Sequence, residues 1–364
     1  MIDTVALAVP IDWAEEENWE MWRSWQSKTT KSGFVVYVKN ATDADRRAGL
    51  YLPRLTRYRT RQRRWYIKME FSVPKLLYGN NVDEVNYGQF WAVIRVLQAR
   101  LAHMDVRISR RSLAHANVLS VHYSKNILLP LGYTAQHVIS EIGKIDVQSR
   151  FQHSHIMYAN GGEQIKIGNN SYSVEMYDKP AEVRHTGEVS NELLTRLRER
   201  GDVLRLEVKL KKKQKLNALF ETLGYAGNPT FWNVFSSEKS RAVLLHHWSR
   251  MIAKDDLTLF TRPPTPADVL RQILIAHPGE TKMAMFHTGL RLVARDCGIN
   301  ELRTILTRHC DERTWIRYRE EMRTISEECE RVPMNEWYTE INAQLTAYRP
   351  LCMDELLKVR KNHE

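Results

Sequence analysis

VLRLEVKLK, residues 203–211, alternates without a break: Leu204, Leu206 and Val208 point one way, Arg205, Glu207 and Lys209 the other. A period of two marks a strand with one face on a core, and a one-residue slip would invert every side chain. Two other stretches repeat the pattern. In VLSVHYSKN (118–126), Ser120, His122 and Ser124 share a face opposite Val121 and Tyr123. In SYSVEMYDK (171–179), Ser173, Glu175, Tyr177 and Lys179 share a face opposite Val174 and Met176. GFVVYVK (33–39) and RWYIKMEFS (64–72) add two more strands. VPKLLYGNN, from 73, is expected to break the second of these at Pro74 and Gly79.

Helical periodicity lies between the strands. Phe90, Val93, Ile94, Leu97 and Leu101 form the stripe of a helix over 86–104. Thr134 caps one near 135–146, another is expected at 189–200, ending at Gly201, and a further one runs to Gly224. A hairpin is expected at Gly161-Gly162 or Asn169-Asn170. After Pro229 the alternation stops, and helical spacing continues from 237 to 363 apart from breaks at Pro263-Pro264-Thr265-Pro266, a candidate hinge, and Pro333. The expected fold is α+β: a mainly antiparallel sheet flanked by helices over 1–228, then an all-helical domain over 229–364.

Composition narrows the function. The 364 residues are 43% hydrophobic and 27% charged, which excludes wholesale disorder. No apolar run is long enough to span a bilayer, and MIDTVALAVPIDWAEEENWE lacks the basic start of a secretory signal. None of Cys297, Cys310, Cys329 and Cys352 forms a C-x-x-C pair, against both a zinc ribbon and a disulfide scaffold. These features lead us to expect a soluble cytoplasmic protein whose cysteines are reduced, buried small hydrophobes. Fifty-four Lys and Arg against forty-three Asp and Glu give +11, which favours a polyanionic partner. Arg54, Arg57, Arg59, Arg61, Arg63 and Arg64 cluster around Tyr58, suited to phosphate contacts and base stacking. Lys209, Lys211 and Lys212 begin a second basic run; either run could equally be a charged edge strand.

If the three polar strand faces adjoin, they gather an imidazole, two carboxylates, a phenol, lysines and an arginine. The plain alternative is a solvated outer sheet face. The chemical alternative is phosphodiester cleavage by a tyrosine, whose phenol a nearby lysine or metal activates. Carboxylates and histidine would hold a divalent cation on the scissile phosphate, and arginine or lysine would balance the developing charge. Other candidates are weaker. His153 and His155 flank a serine where single-strand nickases carry a hydrophobe; His246-His247 suggests a helix surface; Tyr123 and Tyr172 are rival nucleophiles facing away from Tyr177. Gly298-Ile299-Asn300 followed by ELRTILTRH has the spacing of a helix-turn-helix or of ordinary three-helix packing. There is no G-x-x-x-x-G-K-[ST] loop, against helicase activity in this chain.

The opening Met1-Ile2-Asp3, then VPKLLYGNNVDEV (73–85), VEMYDK (174–179) and VLRLEVKLK (203–211) occur in an order that resembles the gene II/X replication proteins of filamentous phages and related plasmids. More distantly, the chain is similar to plasmid rolling-circle initiators with a Tyr-acidic-Lys segment followed by an Arg-Leu-Glu strand. The resemblance covers roughly residues 1–230. It implies an initiator that nicks one DNA strand at an origin, stays linked to its 5′ phosphate through tyrosine, and religates after synthesis. Carried over, Tyr177 is the nucleophile, Lys179 its electrostatic partner, Glu207 a metal ligand and Arg205 a phosphate contact. Many relatives have an Arg-hydrophobic-Asp strand where this chain has Ser120-Val121-His122, so His122 would replace an aspartate at a Mg²⁺ or Mn²⁺ ion, with Glu175 the next choice of ligand. The expected partner is origin DNA, single-stranded or hairpin with flanking duplex, aided by a host helicase and polymerase, and the active form could be a homodimer. A non-catalytic origin-binding protein is the competing expectation.

Overall fold

The structure is a computed structural model and describes residues 1–15, 25–30, 33–147, 151–158, 162–186, 202–261, 265–329 and 333–351. Its strands are β1 (Ile2–Pro10), β2 (Ala14–Glu15), β3 (Gln26–Thr29), β4 (Val35–Lys39), β5 (Arg54–Arg59), β6 (Trp65–Ser72), β7 (Arg107–Ile108), β8 (Asn117–Leu128), β9 (Gln152–Met157), β10 (Glu163–Gly168), β11 (Tyr172–Asp178) and β12 (Val203–Leu210). Ten of them form one sheet in the order β3-β4-β5-β6-β1-β8-β12-β11-β10-β9, while β2 and β7 make a small ribbon. Every neighbouring pair in the large sheet is antiparallel. The fold is therefore α+β, with a helical C-terminal region, as the periodicity predicts.

The apolar halves of the alternating strands point to one side. Leu204, Leu206 and Val208 of β12, Val121 and Tyr123 of β8, and Val174 and Met176 of β11 are all at most 1% exposed. Helices Ala135–Gly143, Lys213–Thr222 and Ser237–Met251 pack against these strands. Strand β1 lies at the centre, between β6 and β8. Residues Val5 to Val9 are buried on both faces, so VALAV is a continuous apolar run with no alternation for a sequence reading to detect.

Several expectations change in detail. VPKLLY does not merely break the strand: Val73–Tyr78 is a helix, capped by the Ser72 hydroxyl and ended by Gly79 at φ 73°. The helix expected at 189–200, Gly161, Pro263, Pro264 and Cys352 lie outside the described residues; Pro266 opens the helix Pro266–Ala276. The 228/229 boundary falls within a shared core, because one hydrophobic cluster joins the sheet to Phe231, Val243, Trp248, Trp337 and Ile341. A smaller core around Val269, Ile273, Ala284, Ile325 and Cys329 belongs to the helices alone. Cys329 is buried as expected, but Cys297 is exposed. Among the described residues, no helix is long and apolar enough to cross a membrane.

Candidate functional site

Strand β12 lies between β8 and β11, so the three polar faces adjoin. The register sets Glu207 opposite Glu175 on one side and Ser124 on the other; Arg205 faces Tyr177 and Asn126, and Lys209 faces Ser173 and His122. The Tyr177 hydroxyl donates to Glu207 Oε2 at 3.2 Å, and His122 Nδ1 lies 3.4 Å from Glu207 Oε1.

A third ligand atom comes from Asp3, which alternation alone would miss. By parity Asp3 belongs with Val5 and Leu7 on the core side. The pairing of β1 with β8 shifts between Ile2 and Thr4: Ile2 faces Tyr123, and Thr4 already faces His122. Asp3 is the extra residue of a β-bulge, which re-aims its side chain towards the polar face. One ligand atom each from Asp3, His122 and Glu207 lie within 4.8 Å of one another.

Charge is arranged around this cluster. The Arg205 side chain is fully buried. Its Nη2 donates to Asp3 Oδ1 at 2.6 Å and Ser124 Oγ at 2.9 Å, and its Nη1 donates to the Asn81 carbonyl at 2.6 Å. Burial pushes the Asp3 carboxyl up, but Arg205 first, then Lys179, His122 and a hydrogen bond from Thr4, together outweigh it and hold the group at about 2. Arg205 thus fixes Asp3 as an anion; its hydrogen bonds go to protein atoms, which does not suit the phosphate contact expected from the sequence. Glu175 belongs to a different pair: Lys209 Nζ is 2.7 Å from it, and Ser173 and Gln164 donate to its carboxylate. Despite burial, Lys209 keeps that carboxyl below the usual range. Glu175 is therefore committed beside the cluster, not part of it. Lys209 also lies 3.6 Å from Glu207, which places it within the site and not on an open DNA-binding surface. Glu207, 2% exposed, thus has a phenol at 3.2 Å, an imidazole nitrogen at 3.4 Å and an ammonium at 3.6 Å. A buried carboxylate with loosely held partners, joined by an aspartate anion and an imidazole, is a donor set that fits a divalent cation.

Tyr177 is 7% exposed. Burial, opposed by Arg205 and reinforced by Glu207 and Asp3, raises its phenol well above the ordinary value. Lys179 lies with its Nζ 5.8 Å from the centre of the Tyr177 ring and donates to Glu182 at 2.7 Å. Burial, helped by Arg205, lowers its ammonium to about 8. Both rival tyrosines serve packing. Tyr123 is 0% exposed and donates to the Val234 carbonyl, and Tyr172 packs on Phe151 and His247 on the helix-covered side. Tyr158 is a tyrosine the sequence reading missed. Half-buried, it donates to Gln164 Oε1 at 2.9 Å, and Gln164 reaches Glu175 at 3.1 Å.

The segment after Gly79 closes one end of the polar face. Asn81 accepts from Arg205, Val82 accepts from Asn126, and Glu84 holds both Lys125 Nζ and the Asn126 N–H. The GNNVDEV stretch is thus a plug at the site, positioned by the helix Val73–Tyr78.

The arginine run is split by the pleat. Arg54 and Tyr58 pair with Glu70 and Tyr66, on the same side as the cluster. Arg57 and Arg59 lie over Trp65, at 4.5 and 5.8 Å from its ring. Arg61, Arg63 and Arg64 are exposed at the hairpin tip, where Arg63 takes φ 61°. Lys212 is an exposed helix N-cap, and Lys211 is partly buried close to Lys166.

The remaining candidates lie elsewhere. His153 and His155 pair with Ile167 and Ile165, on the opposite side from the cluster, and His155 Nε2 is 2.6 Å from Glu163. His246 is partly exposed, but His247 is buried with Nδ1 2.9 Å from the Val243 carbonyl. Ile299–Leu306 follows the preceding helix after Gly298 alone, and docks by an Ile299 N–H to Lys144 carbonyl bond and an Arg303–Asp146 ion pair. That packing explains the helix-turn-helix spacing. Compared with known proteins, the chain matches no family model, no curated protein and no solved structure.

Proposed function

We propose that this protein is a metal-dependent, tyrosine-dependent DNA nicking and strand-transfer enzyme that initiates rolling-circle replication in the cytoplasm. The observation that carries the reading is the convergence of a phenol, an imidazole and two carboxylates on one sheet face, with the Tyr177 hydroxyl 3.2 Å from Glu207.

In the proposed reaction the Tyr177 oxygen attacks the phosphorus of a DNA phosphodiester, and its proton passes to Glu207. The bond to the 3′ oxygen breaks, and that oxygen leaves with the electron pair and takes up a proton. The products are a 5′-phosphotyrosine and a free 3′ hydroxyl. The first conserves the energy of the broken bond for religation by the reverse attack; the second primes a polymerase. A Mg²⁺ or Mn²⁺ ion held by Asp3, His122 and Glu207 would supply positive charge to the phosphate oxygens, and the imidazole suits Mn²⁺ better. Arg205 keeps Asp3 anionic and aimed. Lys179 puts an ammonium beside the Tyr177 ring, lowering the cost of a buried phenolate. With no nucleotide-triphosphate loop in the chain, unwinding falls to a separate helicase.

A pool of random single-stranded DNA labelled at its 3′ ends tests this. With Mn²⁺, label should become attached to the protein and survive denaturant. Tyr177→Phe should abolish attachment and retain DNA binding. Binding without any attachment by the wild type would favour a non-catalytic origin-binding protein.

A further inference from the structure

Strands β3 to β6 extend the cluster's sheet face well beyond the cluster. Arg54, Thr56 and Tyr58 of β5 face Glu70, Lys68 and Tyr66 of β6. Glu70 faces Ala6 of β1, Ala6 faces Ser120 of β8, and Thr4 of β1 faces His122. All of these side chains are therefore on the side of Asp3, His122 and Glu207. The face carries a groove of about 570 Å³ lined by Lys28, Val36, Val38, Arg54, Tyr58 and Lys68. Tyr58, which lines it, stacks on the neighbouring Tyr66, with centroids 5.9 Å apart and planes 24° apart. Between groove and cluster, Ala6, Ala8 and Ser120 are small, and Glu70, ion-paired with Lys68 at 2.7 Å, stands beside them. At the far end of the face the GNNVDEV plug bonds to Asn126 through Val82 and Glu84.

We propose that this wing is a platform for single-stranded DNA: unpaired bases stack on the Tyr58–Tyr66 pair while Lys28 and Arg54 hold the phosphates of the strand leading to Tyr177. The proposal rests on the nicking function above and adds where its substrate lies. Aromatic rings bind bases whose faces are free, which duplex DNA does not offer, and clustered cations track a phosphate backbone. The floor of small residues lets a strand lie close to the sheet on its way to the cluster. Tyr66 faces Pro10, six residues along β1 from Thr4, so the platform is roughly 20 Å along the strand direction from the cluster. The stacked bases thus belong to nucleotides several positions from the scissile phosphate.

The test is fluorescence-anisotropy titration of the full chain with a single-stranded DNA 20-mer and a duplex of the same length, in chelator. Without metal, the readout is independent of nicking: failure to form an adduct would sink the catalytic reading and leave this measurement intact. Tyr58→Ala/Tyr66→Ala should weaken single-strand binding about tenfold or more, whereas Tyr58→Phe/Tyr66→Phe, which keeps both rings, should bind within about twofold of wild type. Lys28→Gln/Arg54→Gln should flatten the log–log salt dependence by about 1.4, at about 0.7 per lost phosphate contact on a single strand. The proposal is overturned if the alanine pair, with an unchanged circular-dichroism spectrum, binds as tightly as wild type. Tighter binding to duplex or to single-stranded RNA would overturn it equally. Should the alanine pair misfold, the salt slope of the Lys28 and Arg54 variant decides: an unchanged slope rejects the platform.

Discussion

Replacing Arg205 by Met removes the cation that organises the site, and its cost can be worked out. The guanidinium is fully buried and donates to Asp3, Ser124 and the Asn81 carbonyl. Methionine keeps part of the volume and leaves Asp3 a mostly buried carboxylate without its 2.6 Å partner. Breaking a buried pair in this way costs about 3–5 kcal/mol. The pH dependence is equally specific. Asp3 is held at about 2 instead of 3.8, which favours the folded state by roughly 2 kcal/mol. Because the folded value is depressed, that stability is fully present above pH 4 and disappears as the pH falls through about 2. The Arg205→Met chain keeps less of this acid-labile share, since burial pushes Asp3 up and Arg205 is the largest influence opposing it. Urea unfolding followed by tryptophan fluorescence at pH 7, 4 and 2.5 gives both quantities. Adding Asp3→Asn to Arg205→Met should recover part of the loss, because no bare carboxylate remains. A loss under about 1 kcal/mol at pH 7, or an acid dependence unchanged by the mutation, would refute the assigned role of Arg205.

Three other outcomes are expected. Tyr158→Phe removes a hydrogen bond to Gln164 but not the hydroxyl at Glu207, so it should retain the covalent DNA adduct that Tyr177→Phe loses, as read on a denaturing gel. His122→Ala should raise the Mn²⁺ concentration needed for half-maximal nicking about tenfold or more, while single-strand affinity measured in chelator stays within about twofold. At Gly168, an added Cβ would come within 2.4 Å of the Tyr172 carbonyl oxygen and 2.5 Å of Ser173 Cα; Gly168→Ala should force β10 off β11 and lower the thermal midpoint by several degrees.

The strands that carry the site were legible because each has one polar and one apolar face, although both are largely buried. Alternation placed His122, Glu175, Tyr177, Arg205 and Glu207 on their polar sides, and the register bears this out. Adjacency was not legible. β12 lies between β8 and β11 although β11 precedes it in the chain, and no local pattern encodes such an insertion. Asp3 was hidden by the bulge, since parity assigns it to the core. Its parent strand was hidden too, because burial on both faces leaves no alternation to read. Glu175 illustrates a different limit. It shares a face with Glu207 and sits directly opposite it, yet Lys209 and Ser173 commit it elsewhere, and such pairings depend on rotamers that spacing does not specify. The arginine run was visible as charge and open to reading as an edge strand, but β5 lies inside the sheet between β4 and β6, and its pleat divides the run between the cluster side and the Trp65 side.

The central claim is that the Tyr177 oxygen becomes joined to a DNA 5′ phosphate. Mass spectrometry tests it most directly: the protein is incubated with the single-stranded pool and Mn²⁺, digested with protease and nuclease, and searched for a peptide carrying a nucleotide. The account predicts the modification on Tyr177 within SYSVEMYDK. A nucleotide on any other side chain, Tyr158 included, would contradict it.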